Sequence, residues 1–198
     1  MKHELERKKR TPVLFVACIL AALLIAGVFA NLMSNELFAD SHEQVKGIDV
    51  SQWQGKVRWE VVKHSGISFG YAKATGGITY TDPEFVNNWN GMREAGMPRG
   101  AYHFFYAHDD PTAQATHFIQ TVQEQTLKPN DLPPVLDVEI IDGMTKAQII
   151  EGVLIWLKVV EEEFGQKPIV YTDLFFADEY LTAEECGDYP LWIAEFGV

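Results

Sequence analysis

Two carboxylates stand two positions apart at the end of an apolar run, Leu136-Asp137-Val138-Glu139, and a third lies in Gly47-Ile48-Asp49-Val50-Ser51. In an extended strand, side chains at i and i+2 leave from the same face with their Cα atoms about 6.5 Å apart. Asp137 and Glu139 can therefore work on one substrate atom. Hydrolysis of a glycosidic bond asks for such a pair of acids, held at different protonation states. Neighbouring negative charge raises a carboxyl pKa, so three acids gathered together are a means of keeping one of them protonated. Taken singly, the residues have plainer readings: a D-x-E can be a surface ion network, and Asp49 alone fits a turn or a cap.

Holding these acids in place falls to six short β-rich runs: Gly47 to Ser51, Phe69 to Thr75, Arg99 to Phe105, Pro134 to Glu139, Pro168 to Thr172 and Pro190 to Ala194. Helical stretches separate them. Asp82-Pro83 and Asp110-Pro111 each read as an N-cap followed by proline at the first helical position. Thr145 with Gln148 makes a capping box; Ile149, Ile150, Val153, Leu157, Val160 and Phe164 form an apolar stripe; Gly165 ends that helix. Strand alternating with helix predicts an α/β fold with a parallel sheet covered on both faces, and the closed form of that arrangement is a (β/α) TIM-like barrel. Barrels place chemistry at the C-terminal ends of their strands. Asp49, Lys73, His103, Asp137, Glu139 and Trp192 fall near such ends, as do Tyr102 and Tyr171. Other aromatics, in a chain that is 12% aromatic, belong first to the core.

The N-terminus predicts something different. Pro12 to Ala30 is an unbroken run of 19 apolar or glycine residues, about the length a bilayer-spanning helix needs. Arg7, Lys8, Lys9 and Arg10 precede it, so the positive-inside rule orients positions 1–11 to the cytoplasm and everything after Ala30 to the outside. The expectation is a single-pass signal anchor over 12–30, a linker over 31–46 and a catalytic domain over 47–198. Secretion after cleavage near Ala30 is the alternative. Positions 1–45 hold five Lys/Arg and five Asp/Glu, so the net charge of −12 belongs to the region from residue 46 onward. That acidity argues against nucleic acid or anionic lipid as a partner. Of the two cysteines, Cys18 lies in the apolar run, which leaves Cys186 without a partner outside the membrane. His103, His108 and His117 lack a metal-ligand spacing, so neither metal nor other cofactor is expected.

The string Gly47-Ile48-Asp49-Val50-Ser51-Gln52-Trp53-Gln54-Gly55, with Ala72-Lys73-Ala74-Thr75, Gly100-Ala101-Tyr102-His103-Phe104, Leu136-Asp137-Val138-Glu139 and Leu191-Trp192-Ile193-Ala194, resembles glycoside hydrolase family 25, the Chalaropsis-type lysozymes. The resemblance runs from about Gly47 to the last residue in the family's order and spacing. It implies cleavage of the β-1,4 bond between N-acetylmuramic acid and N-acetylglucosamine in peptidoglycan, with the glycan strands as partner and retention at the anomeric carbon. It makes Glu139 the general acid, Asp137 the nucleophile or the orienter of the sugar's 2-acetamido group, and Asp49 a third acid beside them. Lys73, Tyr102, His103, Tyr171 and Trp192 become candidate substrate contacts, although His103 and Tyr102 also fit as packed barrel residues.

Two departures stand out. Where the resemblance implies Lys-Ala-Thr-Glu-Gly, this chain reads Lys73-Ala74-Thr75-Gly76-Gly77, without the rim carboxylate. The sequence also ends at Val198, soon after the Trp-x-Ala block, where the family pattern continues to a last strand with a fourth acid. A barrel incomplete at its C-terminus is therefore expected. Two other functions compete: a catalytically inactive wall-glycan-binding protein, and another barrel glycosidase such as a family 18 chitinase. The latter's upstream aspartates would fall at Pro133 and Val135, which argues against it.

Overall fold

Seven strands and five helices alternate along the residues that the computed structural model describes, 45–182 and 184–194. The strands are β1 (Gly47–Val50), β2 (Phe69–Gly76), β3 (Tyr80–Thr81), β4 (Arg99–Phe104), β5 (Val135–Asp137), β6 (Ile169–Asp173) and β7 (Leu191–Ala194). The helices are α1 (Trp59–His64), α2 (Phe85–Glu94), α3 (Pro111–Gln123), α4 (Lys146–Phe164) and α5 (Leu174–Glu179). Six strands lie parallel in the order β1-β2-β4-β5-β6-β7, and β3 folds back antiparallel on β2. Neighbours in sequence are thus neighbours in space, the winding of a barrel wall rather than of a doubly wound sheet. The wall curls: the ring of Trp192 on β7 comes to 5.5 Å from that of Tyr71 on β2.

All six expected strands form, with ends shifted by a residue or two. The β3 hairpin was not expected, since two residues are too few to show a period. Gly77, at φ +56°, turns the chain into it, and its N–H donates to the carbonyl of Phe104 at 3.1 Å. Strand β5 ends at Asp137, one turn of the pleat short of Glu139, but Val138 N–H still donates to Tyr171 O at 2.9 Å and carries the pairing on.

Helix ends follow their sequence signals with one correction. Asp110 caps α3 through Ala113 N–H at 2.8 Å with Pro111 at the first turn, and Thr145 and Gln148 form the capping box of α4, which Gly165 ends in the left-handed conformation. Asp82 is not the cap of α2. That helix starts two residues later, after Glu84, and the buried Asp82 carboxylate instead accepts N–H groups from Glu84 at 2.9 Å and from Gln52 at 3.0 Å. A carboxylate with a second, distant donor is more valuable as a tie between loops than as a local cap.

The core lies between sheet and helices. Ala72, Ala74, Ala101, Leu136, Val138 and Val170 present one face of the strands to Trp89 and Met92 of α2, Phe118 and Val122 of α3, and Ile149, Val153, Trp156, Leu157 and Val160 of α4. Each of the larger side chains contributes on the order of 1.5–3 kcal/mol by burial. Alternation sends the other strand face to the barrel interior. There Gly100, paired with Tyr71 across the ladder, leaves room for the Tyr71 ring; a Cβ at that position would meet it at 2.1 Å.

The cytoplasmic segment, the expected membrane helix over 12–30 and nearly all of the linker lie outside the described residues. Among the described residues no helix is long and apolar enough to cross a membrane.

Candidate active site

The acids converge because parallel strands end at one edge of the sheet. Asp49 comes from β1, Lys73 from β2, Tyr102 from β4, Asp137 and Glu139 from β5 and just beyond it, Tyr171 from β6 and Trp192 from β7. Asp49, Tyr71, Tyr102, Val135, Asp137, Tyr171 and Trp192 line a recess of about 240 Å³ that includes space open to solvent. Its floor is aromatic, with the Trp192 ring wedged between Tyr71 at 5.5 Å and Tyr171 at 5.3 Å. The Tyr71 hydroxyl donates across the interior to Pro133 O at 3.1 Å.

Electrostatics inside the recess are dominated by burial. Asp137 is 8% exposed, and its Oδ1 is buried with no hydrogen-bond partner in the protein. Loss of water, then the negative charges of Glu139 and Asp49, push its carboxyl up to about 8, while the Lys73 ammonium opposes them. Glu139 is raised too, by burial first and then by Asp173 and Asp49, again against Lys73. Burial and the neighbouring carboxylates thus favour the protonated form of both acids, with Asp137 the more deeply buried of the two. Lys73 is lowered by burial, and Asp137, Asp82 and Glu139 limit the fall. Its ammonium lies 4.5 Å from the centre of the Phe104 ring, a cation–π placement inside the cleft rather than a close ion pair with one acid. Burial and the surrounding acids likewise raise Tyr102, and Tyr171 is pushed up to about 12, so both keep their phenolic protons.

His103 faces the other way, which corrects its place among the substrate contacts. It is fully buried against the helices, stacked 5.6 Å from Trp156, with Thr75 Oγ1 2.7 Å from Nδ1 and Gln114 Oε1 3.1 Å from Nε2. Alternation explains it: Tyr102 and Phe104 point inward, so the residue between them points out. A register shift between Lys73 and Thr75 pairs Thr75 with His103 and puts the two on one side. Gln114 amide nitrogen donates to Tyr106 O at 2.9 Å while its oxygen accepts Tyr106 N–H at 3.0 Å, which fixes the amide orientation and makes His103 Nε2 the donor. Burial lowers His103 to about 3, so the ring is neutral.

Asp173 was missed. It is two residues past Tyr171 on the same strand face and supplies the largest charge effect on Glu139, while also capping α5 through Phe176 N–H at 2.7 Å. Placing the end of that strand at Thr172, one residue early, hid it. Tyr71 was set aside as core and proves to line the recess. Among the described residues no cluster of three His, Cys, Asp or Glu is arranged to hold a metal ion.

The family model of glycosyl hydrolases family 25 matches residues 48–198, a stretch that includes every acid described above. The chain belongs to glycosyl hydrolases family 25. Within that family's range of relatives, it is 38% identical over 154 residues to the autolytic lysozyme of Clostridium acetobutylicum, covering 78% of this chain and 46% of that protein. An uncharacterised protein of Escherichia coli strain K12, YegX, is 39% identical over 157 residues, covering 77% of this chain and 56% of the other. The chain thus spans about half the length of these curated relatives. Among solved structures, a bacterial lysozyme from Streptomyces coelicolor superposes with a TM-score of 0.72 at 31% identity, covering 80% of this family 25 chain and 77% of that one.

Proposed function

We propose that this chain is a peptidoglycan hydrolase that cleaves the β-1,4 bond between N-acetylmuramic acid and N-acetylglucosamine. The observation that supports this reading most is the pair of acids at one strand end, both raised by burial and by neighbouring carboxylates. Glu139 is the half-buried member, open to a leaving oxygen, and acts as the general acid. A general acid must carry its proton at working pH, and the field of Asp173 and Asp49 favours that.

Asp137 acts as orienter rather than nucleophile. Burial disfavours the charged form of Asp137 that a nucleophile needs, and its buried Oδ1, without a hydrogen-bond partner in the protein, offers an acceptor for the N–H of a 2-acetamido group. Held so, the acetamido oxygen attacks the anomeric carbon as the glycosidic C–O bond breaks and Glu139 gives its proton to the leaving oxygen. Water then opens the resulting oxazolinium ring, returning a proton to Glu139, and configuration is retained. Lys73 balances the acids, while Tyr102, Tyr171 and Trp192 form the wall and floor against which the sugar rests.

The apolar run over 12–30 makes the protein a membrane-tethered enzyme facing the wall, with secretion after cleavage as the alternative; carbonate-resistant fractionation of cells distinguishes the two. The test of activity is mass spectrometry of sugars released from peptidoglycan by the chain and by Glu139→Gln. Fragments ending in reducing N-acetylmuramic acid, absent with the variant, are expected. Fragments ending in reducing N-acetylglucosamine, or none from either protein, overturn the reading.

A further inference from the structure

Large exposed side chains are unevenly distributed over this molecule. Among the described residues the exposed aliphatic side chains occur both on the helices (Val61, Val86, Leu154, Ile155) and near the C-terminal ends of the strands (Ile78, Ile141, Leu174), whereas the exposed aromatic rings number three: Trp53 at 84%, Phe175 at 70% and Tyr80 at 37%. All three sit at the same end of the sheet. Trp53 follows β1, Tyr80 begins the hairpin after β2 with the Lys73 ammonium 5.7 Å from its ring centre, and Phe175 follows β6. Exposed aromatics cost hydrophobic free energy, and their confinement to the mouth of a cleft points to a ligand with apolar faces.

Their backbones are held in place. Ser51 and Gln54 close a capping box around the short 3-10 turn that carries Trp53, and Gly55 ends it at φ +59°. One oxygen of the buried Asp82 accepts Gln52 N–H at 3.0 Å and lies 3.5 Å from the Tyr80 hydroxyl, so a single carboxylate fixes the loops of both rings. Asp173, which faces Glu139, caps the helix whose second residue is Phe175. Rigid presentation lowers the entropy cost of stacking a ligand.

We infer that Trp53, Tyr80 and Phe175 form an aromatic rim that stacks on sugar rings beyond the pair being cleaved, which makes the protein selective for long glycan strands, with Asp82 as the positioning residue for the first two. This rests on the muramidase reading. The C–H faces of pyranose rings are the matching chemistry.

The experiment is titration calorimetry on the Glu139→Gln chain, which needs no turnover, with peptide-free strands of alternating N-acetylglucosamine and N-acetylmuramic acid as disaccharide and octasaccharide. Adding Trp53→Ala or Phe175→Ala is expected to weaken the octasaccharide about three- to tenfold and leave the disaccharide unchanged, with Trp53→Phe restoring most of the loss. Asp82→Asn is expected to weaken the octasaccharide selectively as well, which a general loss of folding would not do. Equal affinity of all variants for an octasaccharide that the parent binds overturns the rim and leaves the muramidase reading standing. A parent that binds neither sugar, with no fragments released by the unmutated chain, overturns both.

Discussion

Replacing Asp137 by asparagine should stabilise the fold, by an amount that grows as pH rises above the carboxyl's ordinary value. The carboxyl's ordinary value is 3.8 and the folded protein raises it to about 8. Between those limits the unfolded chain has lost the proton and the folded chain retains it, so stability falls as pH rises through that window. At about 1.36 kcal/mol per pH unit the gap sets an upper limit of about 6 kcal/mol, and local relaxation with partial solvation brings the expectation to roughly half, about 3 kcal/mol at pH 8. Asparagine has no proton to lose and occupies nearly the same volume. Urea unfolding of both proteins at pH 4, 6 and 8 reads the effect. Taking the difference between variant and parent cancels every other titrating group to first order, His103 included. The expected result is a difference near zero at pH 4 that grows to about 3 kcal/mol in favour of the variant at pH 8, with hydrolysis lost throughout. A difference independent of pH, or one favouring the parent at pH 8, would refute the claim that the site stores an uncompensated buried acid.

Lys73→Met removes the charge that holds both Glu139 and Asp137 down. The alkaline limb of the rate profile should therefore move to higher pH, and a limb that stays put or moves down contradicts the assigned role of Lys73. His103→Ala empties a fully buried site between Trp156 and Phe118 and should cost about 2–4 kcal/mol while leaving KM for glycan unchanged. A raised KM at unchanged melting temperature would place His103 in the cleft after all. Arg99 is 1% exposed, pairs with Asp131 at 3.0 Å and donates to Trp89 O at 2.8 Å and Thr126 O at 2.7 Å. Asp131→Ala strands that guanidinium and should destabilise by about 3–5 kcal/mol in chemical denaturation; a loss under about 1 kcal/mol would mean the pair is solvated.

The strand-helix alternation, the cap at Asp110, the capping box at Thr145 and the convergence of Asp49, Asp137 and Glu139 were legible from sequence, because each depends on local period or on fixed geometry within a few residues. Parallel strands deliver their ends to one edge whatever the details of packing, so residues at strand ends group together on sequence position alone. What sequence could not decide was parity and partnership over distance. Asp82 carries the local marks of a cap, and only the approach of Gln52, thirty positions earlier, makes it a tie between loops. His103 and Tyr102 are adjacent in a strand, and which of them meets the cleft depends on register and on the shift between Lys73 and Thr75 in the neighbouring strand. How far burial pushes each acid toward its protonated form was equally out of reach. It depends on how much water each carboxyl loses and on Asp173 arriving from another strand, and both are properties of the folded chain alone.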